Sequence, residues 1–109
     1  MFKVFVGDWT TLRGAGIQEL DLHDHGGWTP RDELMFQAYD DVLCALIESR
    51  SRGMSALLIQ HGGRTSRRGK TTKRSVVRGL MRSKAATPHI IRSACVQHET
   101  VFLAALKPI

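Results

Sequence analysis

The alternation of apolar and polar residues along the chain predicts a series of short strands. Residues 2–6 and 17–23 alternate, and residues 54–60 form a largely apolar run that is typical of a central strand. Two further stretches, residues 89–96 and 100–106, follow Pro88 and are joined tightly through residues 97–99. The pattern therefore predicts a four-stranded sheet preceded by an additional N-terminal strand.

Helical spacing of apolar residues predicts two helices between these strands. In the first, Thr29 can act as the N-cap, Pro30 suits the first helical position, and Gly53 is placed to end the helix. The second helix is expected over about residues 71–83. The predicted core-facing residues are Leu34, Met35, Ala38, Tyr39, Val42, Leu43, Leu46 and Ile47 in the first helix, and Val76, Val77, Leu80 and Met81 in the second.

The order β-β-α-β-α-β-β predicts an α/β fold: a two-layer open sandwich with both helices on one side of a mixed sheet. We divide the chain into an N-terminal strand and loop extension, residues 1–16, and the α/β domain itself, residues 17–109. A chain of 109 residues with 42% apolar and 24% charged residues can bury one modest core, which excludes wholesale disorder.

The composition also bears on the compartment. The longest apolar runs, residues 42–47 and 101–106, have six residues each, whereas a membrane span needs about 20. The first residues lack the apolar stretch of a secretory signal. Cys44 and Cys95 lie in apolar stretches and are expected to be buried, reduced thiols. We expect a cytoplasmic protein with no membrane partner.

Charge is distributed very unevenly along the chain. Residues 1–49 carry three bases against nine acids, a net charge of −6, while residues 50–109 carry thirteen bases against Glu99 alone, a net charge of +12. Lys70, Arg74, Arg78 and Arg82 recur every four residues and would form a basic stripe on the second helix. A basic half predicts a polyanionic partner: nucleic acid is the first choice and an anionic membrane surface the second. The alternative is a solvated basic surface without a ligand.

Candidate chemistry lies where two predicted strands end. A right-handed crossover makes the strand ending at His23 parallel to the strand ending at Gln60, so Asp21 and His23 should meet the segment beginning at His61. An imidazole beside a carboxylate can transfer protons, and glycines let backbone N–H groups approach a phosphate. The alternative for Asp21 and His23 is a structural hydrogen-bonded pair. His89 and His98 are interpreted as surface or turn residues.

Two other types of site fit parts of the sequence. The segment from Gly63 to Thr71 resembles a phosphate-binding P-loop, but it has five residues between its glycines where that motif needs four. Imidazole and carboxylate groups also suit a divalent metal such as zinc or manganese, so a metal remains an alternative cofactor. Its ligands would be Asp21, His23, His25 and His61.

The sequence Leu20-Asp21-Leu22-His23, a capped helix, an apolar strand running into His61-Gly62-Gly63, a basic helix and two short strands together resemble the Smr (small MutS-related) domain over residues 17–106. The resemblance implies a four-stranded open sandwich similar to the C-terminal domain of translation initiation factor 3. It also implies nucleic-acid binding and, as in several members, nicking or endonuclease activity. Asp21 and His23 would then be active-site residues, and His61, Gly62 and Gly63 would form the second motif.

Three positions depart from the family pattern. Asp24 stands where the family usually has glycine after the first histidine, and Arg64 replaces the last glycine of the His-Gly-x-Gly turn. Residues 97–99 replace a glycine-rich turn between the last two strands. Either the loop after His23 is longer, or His25-Gly26 takes the place of the usual His-Gly pair.

These observations predict a nucleic-acid-binding domain that cleaves a phosphodiester bond. Asp21 would orient an imidazole, and His23 or His61 would move the proton. The residues expected to hold the phosphate backbone are Gly62, Gly63, Arg64, Arg67, Arg68, Lys70, Arg74, Arg78 and Arg82. The alternatives are a non-catalytic RNA- or ribosome-binding module and a metal-dependent hydrolase of a small phosphorylated substrate. DNA or RNA as the partner, and the oligomeric state, are left open.

Overall fold

A computed structural model of the chain describes residues 2–22, 31–62 and 73–108, with the backbone alone for residues 31–35 and Lys73. Within these residues lie a five-stranded mixed sheet and two α-helices. The strands are β1 (Lys3–Val4), β2 (Ile17–Asp21), β3 (Ala56–Gln60), β4 (Val96–Gln97) and β5 (Val101–Ala105); the helices are α1 (Arg31–Ser51) and α2 (Lys73–Arg82). Short 3-10 helices cover Trp9–Leu12 and Arg92–Ala94.

The strand order across the sheet is β1-β4-β5-β3-β2. β2 pairs with β3 and β1 with β4 in parallel, while β5 runs antiparallel to both β3 and β4. Four strands therefore run in one direction and end at the same side of the sheet, which we name the carboxyl edge. The predicted parallel pairing of β2 with β3 is confirmed.

The core lies between the two helices and one face of the sheet. Strand side chains alternate between faces, so Leu57 and Ile59 of β3 share a face with Phe102 and Ala104 of β5. The same buried cluster contains helix residues from both helices: Ala38, Val42 and Leu46 of α1, with Val77, Leu80 and Met81 of α2. Most of the predicted helical core positions are thus confirmed, whereas Ile47 is 49% exposed. The side chains of Leu34 and Met35 lie outside the described part of the chain.

Helix α1 ends as its sequence predicts. Gly53 has φ +75°, its N–H donates to Arg50 O, and the N–H of Met54 donates to Ser49 O. These two bonds form a Schellman motif, which favours glycine because the turn needs a left-handed residue. The predicted cap, Thr29 and Pro30, lies outside the described residues.

The predicted strand over residues 89–96 is wrong for most of its length. Ile90 forms a single bridge with Leu106, a 3-10 helix follows, and only Val96 belongs to a strand. The Arg92 side chain donates from Nε to Met81 O at 2.9 Å and from Nη2 to Ser83 O at 2.6 Å. Because these bonds tie Arg92 to the end of α2, the chain forms a 3-10 helix there instead of continuing as a strand of the sheet.

The N-terminal strand is an integral part of the sheet. β1 pairs with β4, and Phe2 packs edge-on against Phe102 with ring centroids 4.9 Å apart. The expectation for the cysteines is confirmed only for Cys95, which is buried, because Cys44 is exposed; both are free thiols. Neither described helix is long and apolar enough to cross a membrane.

Candidate functional site

The carboxyl edge brings together the two sequence regions that were expected to meet. Asp21 at the end of β2 is the register partner of Gln60 at the end of β3, and Leu22 N–H donates to Gln60 O at 3.0 Å. His61 follows directly and continues toward β5, its N–H donating to Thr100 O at 3.1 Å. The backbones at Asp21 and His61 are therefore neighbours.

The side chains of Asp21 and His61 leave the sheet on opposite faces. Register places Asp21 on the face of Gln60 and Glu19, whose side chains are joined by a 3.5 Å hydrogen bond. His61 follows the alternation of Leu57 and Ile59 and lies on the helix side, where the charges of α2 act on it. The other predicted partner of Asp21, His23, lies outside the described residues.

His61 is held as a neutral ring in a buried position. Only 6% of the residue is exposed, and its Nδ1 lies 2.7 Å from Gly62 O, so Nδ1 carries the proton. Burial, followed by the nearby charges of Arg78 and Arg74, lowers the pKa of His61 to about 4. At neutral pH the ring is therefore neutral, and its acceptor atom Nε2 is buried without a hydrogen-bond partner among the described residues.

Gly62 adopts a left-handed backbone with φ +80°. Its N–H donates to Thr100 O at 3.0 Å, so this amide is directed to the sheet. The other expected phosphate-binding residues before α2 lie outside the described residues: Gly63, Arg64, Arg67, Arg68 and Lys70. Their role stays a prediction.

Helix α2 presents Arg74, Arg78 and Arg82, which we name the arginine row. Within the described part of the chain, no carboxylate forms an ion pair with any of the three. Burial, and then the charges of Arg74 and Arg82, lowers the pKa of Arg78 below its usual value. The row is a set of like charges that repel one another, and an anion would relieve that repulsion.

Other bases of the positive half have structural partners. Arg92 holds the end of α2, and the Arg50 guanidinium donates to the carbonyls of Lys107 and Pro108 at 3.3 Å each. Arg52 pairs with Glu48 at 2.6 Å on the exposed end of α1. These three arginines are committed to contacts within the fold, whereas no described carboxylate pairs with the arginine row.

His98 belongs to the carboxyl edge, although its sequence position suggested only a surface or turn residue. Its Nε2 lies 2.8 Å from Gly7 O, and its Nδ1 accepts from Thr100 N–H at 3.0 Å. The Arg78 guanidinium donates to the His98 carbonyl at 3.3 Å. The backbone of Thr100 thus connects His98 to His61. In the sequence, the short turn after β4 is the signal that could have placed His98 at the carboxyl edge.

Metal ligands do not gather in the described part of the chain, where no group of three histidine, cysteine or acidic side chains is close enough to hold an ion. Two of the four proposed ligands, His23 and His25, lie outside that part. The metal hypothesis therefore stays a prediction.

Comparison of the chain with protein-family models, with curated proteins and with solved structures found no match. The resemblance to the Smr domain, and the likeness to the C-terminal domain of translation initiation factor 3, stay predictions that rest on the residues quoted above.

Proposed function

We propose that this protein binds nucleic acid with the carboxyl edge of its sheet and the outer side of α2. The observation that carries the proposal is the arginine row: three guanidinium groups at one-turn spacing, without carboxylate partners among the described residues. Arginine binds phosphate through a planar fork of N–H donors, and a row along one helix suits a repeating phosphate backbone. Contacts of this kind are independent of base sequence.

Titrations of labelled single-stranded RNA, single-stranded DNA and duplex DNA at several salt concentrations test the proposal. Each neutralised phosphate contributes about 0.7 to 0.9 to the slope of log affinity against log salt. The double variant Arg74→Ala/Arg82→Ala should therefore lower the slope by about 1.4 to 1.8. These two sites leave intact the bond from Arg78 to the His98 carbonyl.

A matched control is Arg52→Ala, which also removes an exposed guanidinium but lies at the end of α1 beside Glu48. It should leave affinity and slope close to those of the unmodified protein. Unchanged binding by the double variant, or an equal loss in the control, would overturn the assignment of the interface to the arginine row.

Phosphodiester cleavage is the second candidate activity. It is favoured by the meeting of the Asp21 and His61 strand ends at an edge where α/β sheets commonly bind ligands. Asp21 is exposed and lies on the face opposite His61, so an imidazole that works with Asp21 would come from a histidine other than His61. His23, two residues along the chain, is the candidate. In this proposal Asp21 orients the ring that moves the proton.

Incubation of the protein with supercoiled plasmid and with structured RNA tests for cleavage. Asp21→Asn should abolish product formation while binding persists, because the amide keeps the shape of the carboxylate but cannot stabilise an imidazolium. The same reaction in excess chelator separates metal-dependent from metal-independent cleavage. Binding without products in the unmodified protein would leave the non-catalytic binding module as the function.

A further inference from the structure

A pocket of about 540 Å³ opens at the carboxyl edge, between the edge strand and α2. Residues 4–7 form one side, residues 97–99 form the turn at its base, and Arg74 and Arg78 close it from the helix. Its volume lies in the range of small-molecule sites. The pocket is separate from the strand ends of β2 and β3, where the cleavage residues were expected.

Two buried polar atoms at this pocket have no hydrogen-bond partner. They are Nε of Arg78, a donor, and Oε1 of Gln97, an acceptor. Together with Nε2 of His61 they make up the unpaired buried side-chain atoms found among the described residues. Buried polar groups are nearly always paired, so the fold leaves a donor and an acceptor unsatisfied beside the pocket. Both atoms are covered in this conformation, and a small rotation of either side chain would turn it toward a polar group bound in the pocket.

The remaining walls combine flat, apolar and cationic surfaces. The rings of Phe5 and His98 lie 6.0 Å apart at an interplanar angle of 39°, and the His98 ring is held at both nitrogens. Val4 is 69% exposed beside them. Glu99 lines the same pocket, and no described ion pair joins it to Arg74 or Arg78.

We propose that this pocket binds one unpaired nucleotide. Its phosphate lies on the guanidinium groups of Arg74 and Arg78, and its base packs against Phe5 and His98. The Gln97 side chain rotates so that its Oε1, now covered, accepts a hydrogen bond from an N–H of the base, and the Glu99 carboxylate accepts from a sugar hydroxyl. The proposal rests on the proposed function, because both use Arg74 and Arg78. The bound polymer would place one flipped or unpaired nucleotide in the pocket.

Titration with uridine 5′-monophosphate, uridine and inorganic phosphate, followed by backbone and side-chain amide resonances, tests the pocket. We expect the nucleotide to bind about tenfold or more tightly than phosphate, since stacking adds to the anion contact. Gln97→Leu and Phe5→Ala should each remove most of that advantage and leave phosphate binding unchanged. Arg74→Ala should weaken both ligands.

Gln37→Leu is the matched control, because Gln37 is an exposed amide on α1 and should bind the nucleotide as the unmodified protein does. Equal affinity for nucleotide and phosphate would overturn the proposal, as would unchanged nucleotide binding in both pocket variants. If binding of the polymer depends on the arginine row but is unchanged in the Phe5 and Gln97 variants, the nucleotide pocket is rejected and the proposed function is kept. If the protein binds the nucleotide but no polymer, the proposed function is rejected and the nucleotide pocket is kept.

Discussion

At the scale of single residues, His61 shows how burial changes the chemistry of a side chain that looks reactive in sequence. An exposed histidine titrates near pH 6.5, but the buried ring of His61 has a pKa of about 4. Its Nδ1–H is used by the Gly62 carbonyl, and its Nε2 is enclosed. The neutral ring therefore supports the carboxyl edge as a hydrogen-bond donor to the Gly62 carbonyl.

This shift makes stability depend on pH. Above pH 6.5 the ring is neutral in the folded and unfolded chains, so it contributes no slope. As the pH falls from 6.5 to about 4, the unfolded chain binds a proton that the folded chain excludes. The free energy of unfolding should fall by about 1.4 kcal/mol per pH unit, and by up to about 3 kcal/mol in total.

Urea unfolding of the unmodified protein and of His61→Asn at several pH values measures this effect. The asparagine amide can still donate to the Gly62 carbonyl but does not titrate. The difference between the two curves should be flat above pH 6.5 and should change between pH 6.5 and 4. Parallel curves across that interval would show that the buried ring does not carry the pH dependence.

At the scale of elements, α2 depends on contacts that its own sequence does not contain. Its buried side is formed by Val77, Leu80 and Met81, as the helical period predicts. Its C-terminal carbonyls, however, are bound by Arg92, which lies ten residues beyond the end of the helix. A positive side chain at this end also interacts favourably with the helix dipole.

Arg92→Ala should therefore lower the free energy of unfolding by about 2 kcal/mol, because two carbonyls lose a charged donor. Chemical denaturation measures the loss. Lys84→Ala removes the same charge from an exposed site just after α2 and should change stability by no more than about 0.5 kcal/mol. Similar values for the two variants would mean that net charge, and not the two hydrogen bonds, sets the effect.

Elements also show which parts of the fold can be read from sequence. The apolar run of β3 and the stop at Gly53 depend on local pattern and backbone conformation, and both are observed. The segment before β4 is also apolar at intervals, yet it forms a bridge and a 3-10 helix. Its conformation depends on where the Arg92 side chain finds acceptors, which no local pattern contains.

At the scale of the whole molecule, β1 contributes both to the edge of the sheet and to the wall of the proposed nucleotide pocket. β1 lies at the sheet edge beside β4, and residues just after it line the pocket. Phe2 secures the strand, since it is only 8% exposed and contacts Phe102 in the core. The segment before β2 thus contributes both an edge strand and a core side chain to the fold.

Phe2→Ala should cost about 3 kcal/mol of unfolding free energy, as expected when a buried aromatic side chain is removed. Val4→Ala is the control, because Val4 lies in β1, two residues after Phe2, and is 69% exposed, and it should be nearly neutral. Thermal or urea unfolding measures both. A neutral Phe2→Ala variant would indicate that β1 contributes little to the folded core.

The sequence by itself determined the order of strands and helices and the spacing of the arginine row, because both follow from side-chain periodicity. It also determined the parallel pairing of β2 with β3, because a β-α-β crossover joins parallel strands. Tertiary structure alone decided that Asp21 and His61 leave opposite faces, that Cys44 is exposed, and that His98 joins the carboxyl edge. It also decided that Arg50 and Arg92 bind carbonyls while Arg74 and Arg78 line a pocket. These outcomes depend on strand register and on contacts between segments that are distant in the sequence. Such contacts determine the surroundings of a residue, and its neighbours in the sequence do not.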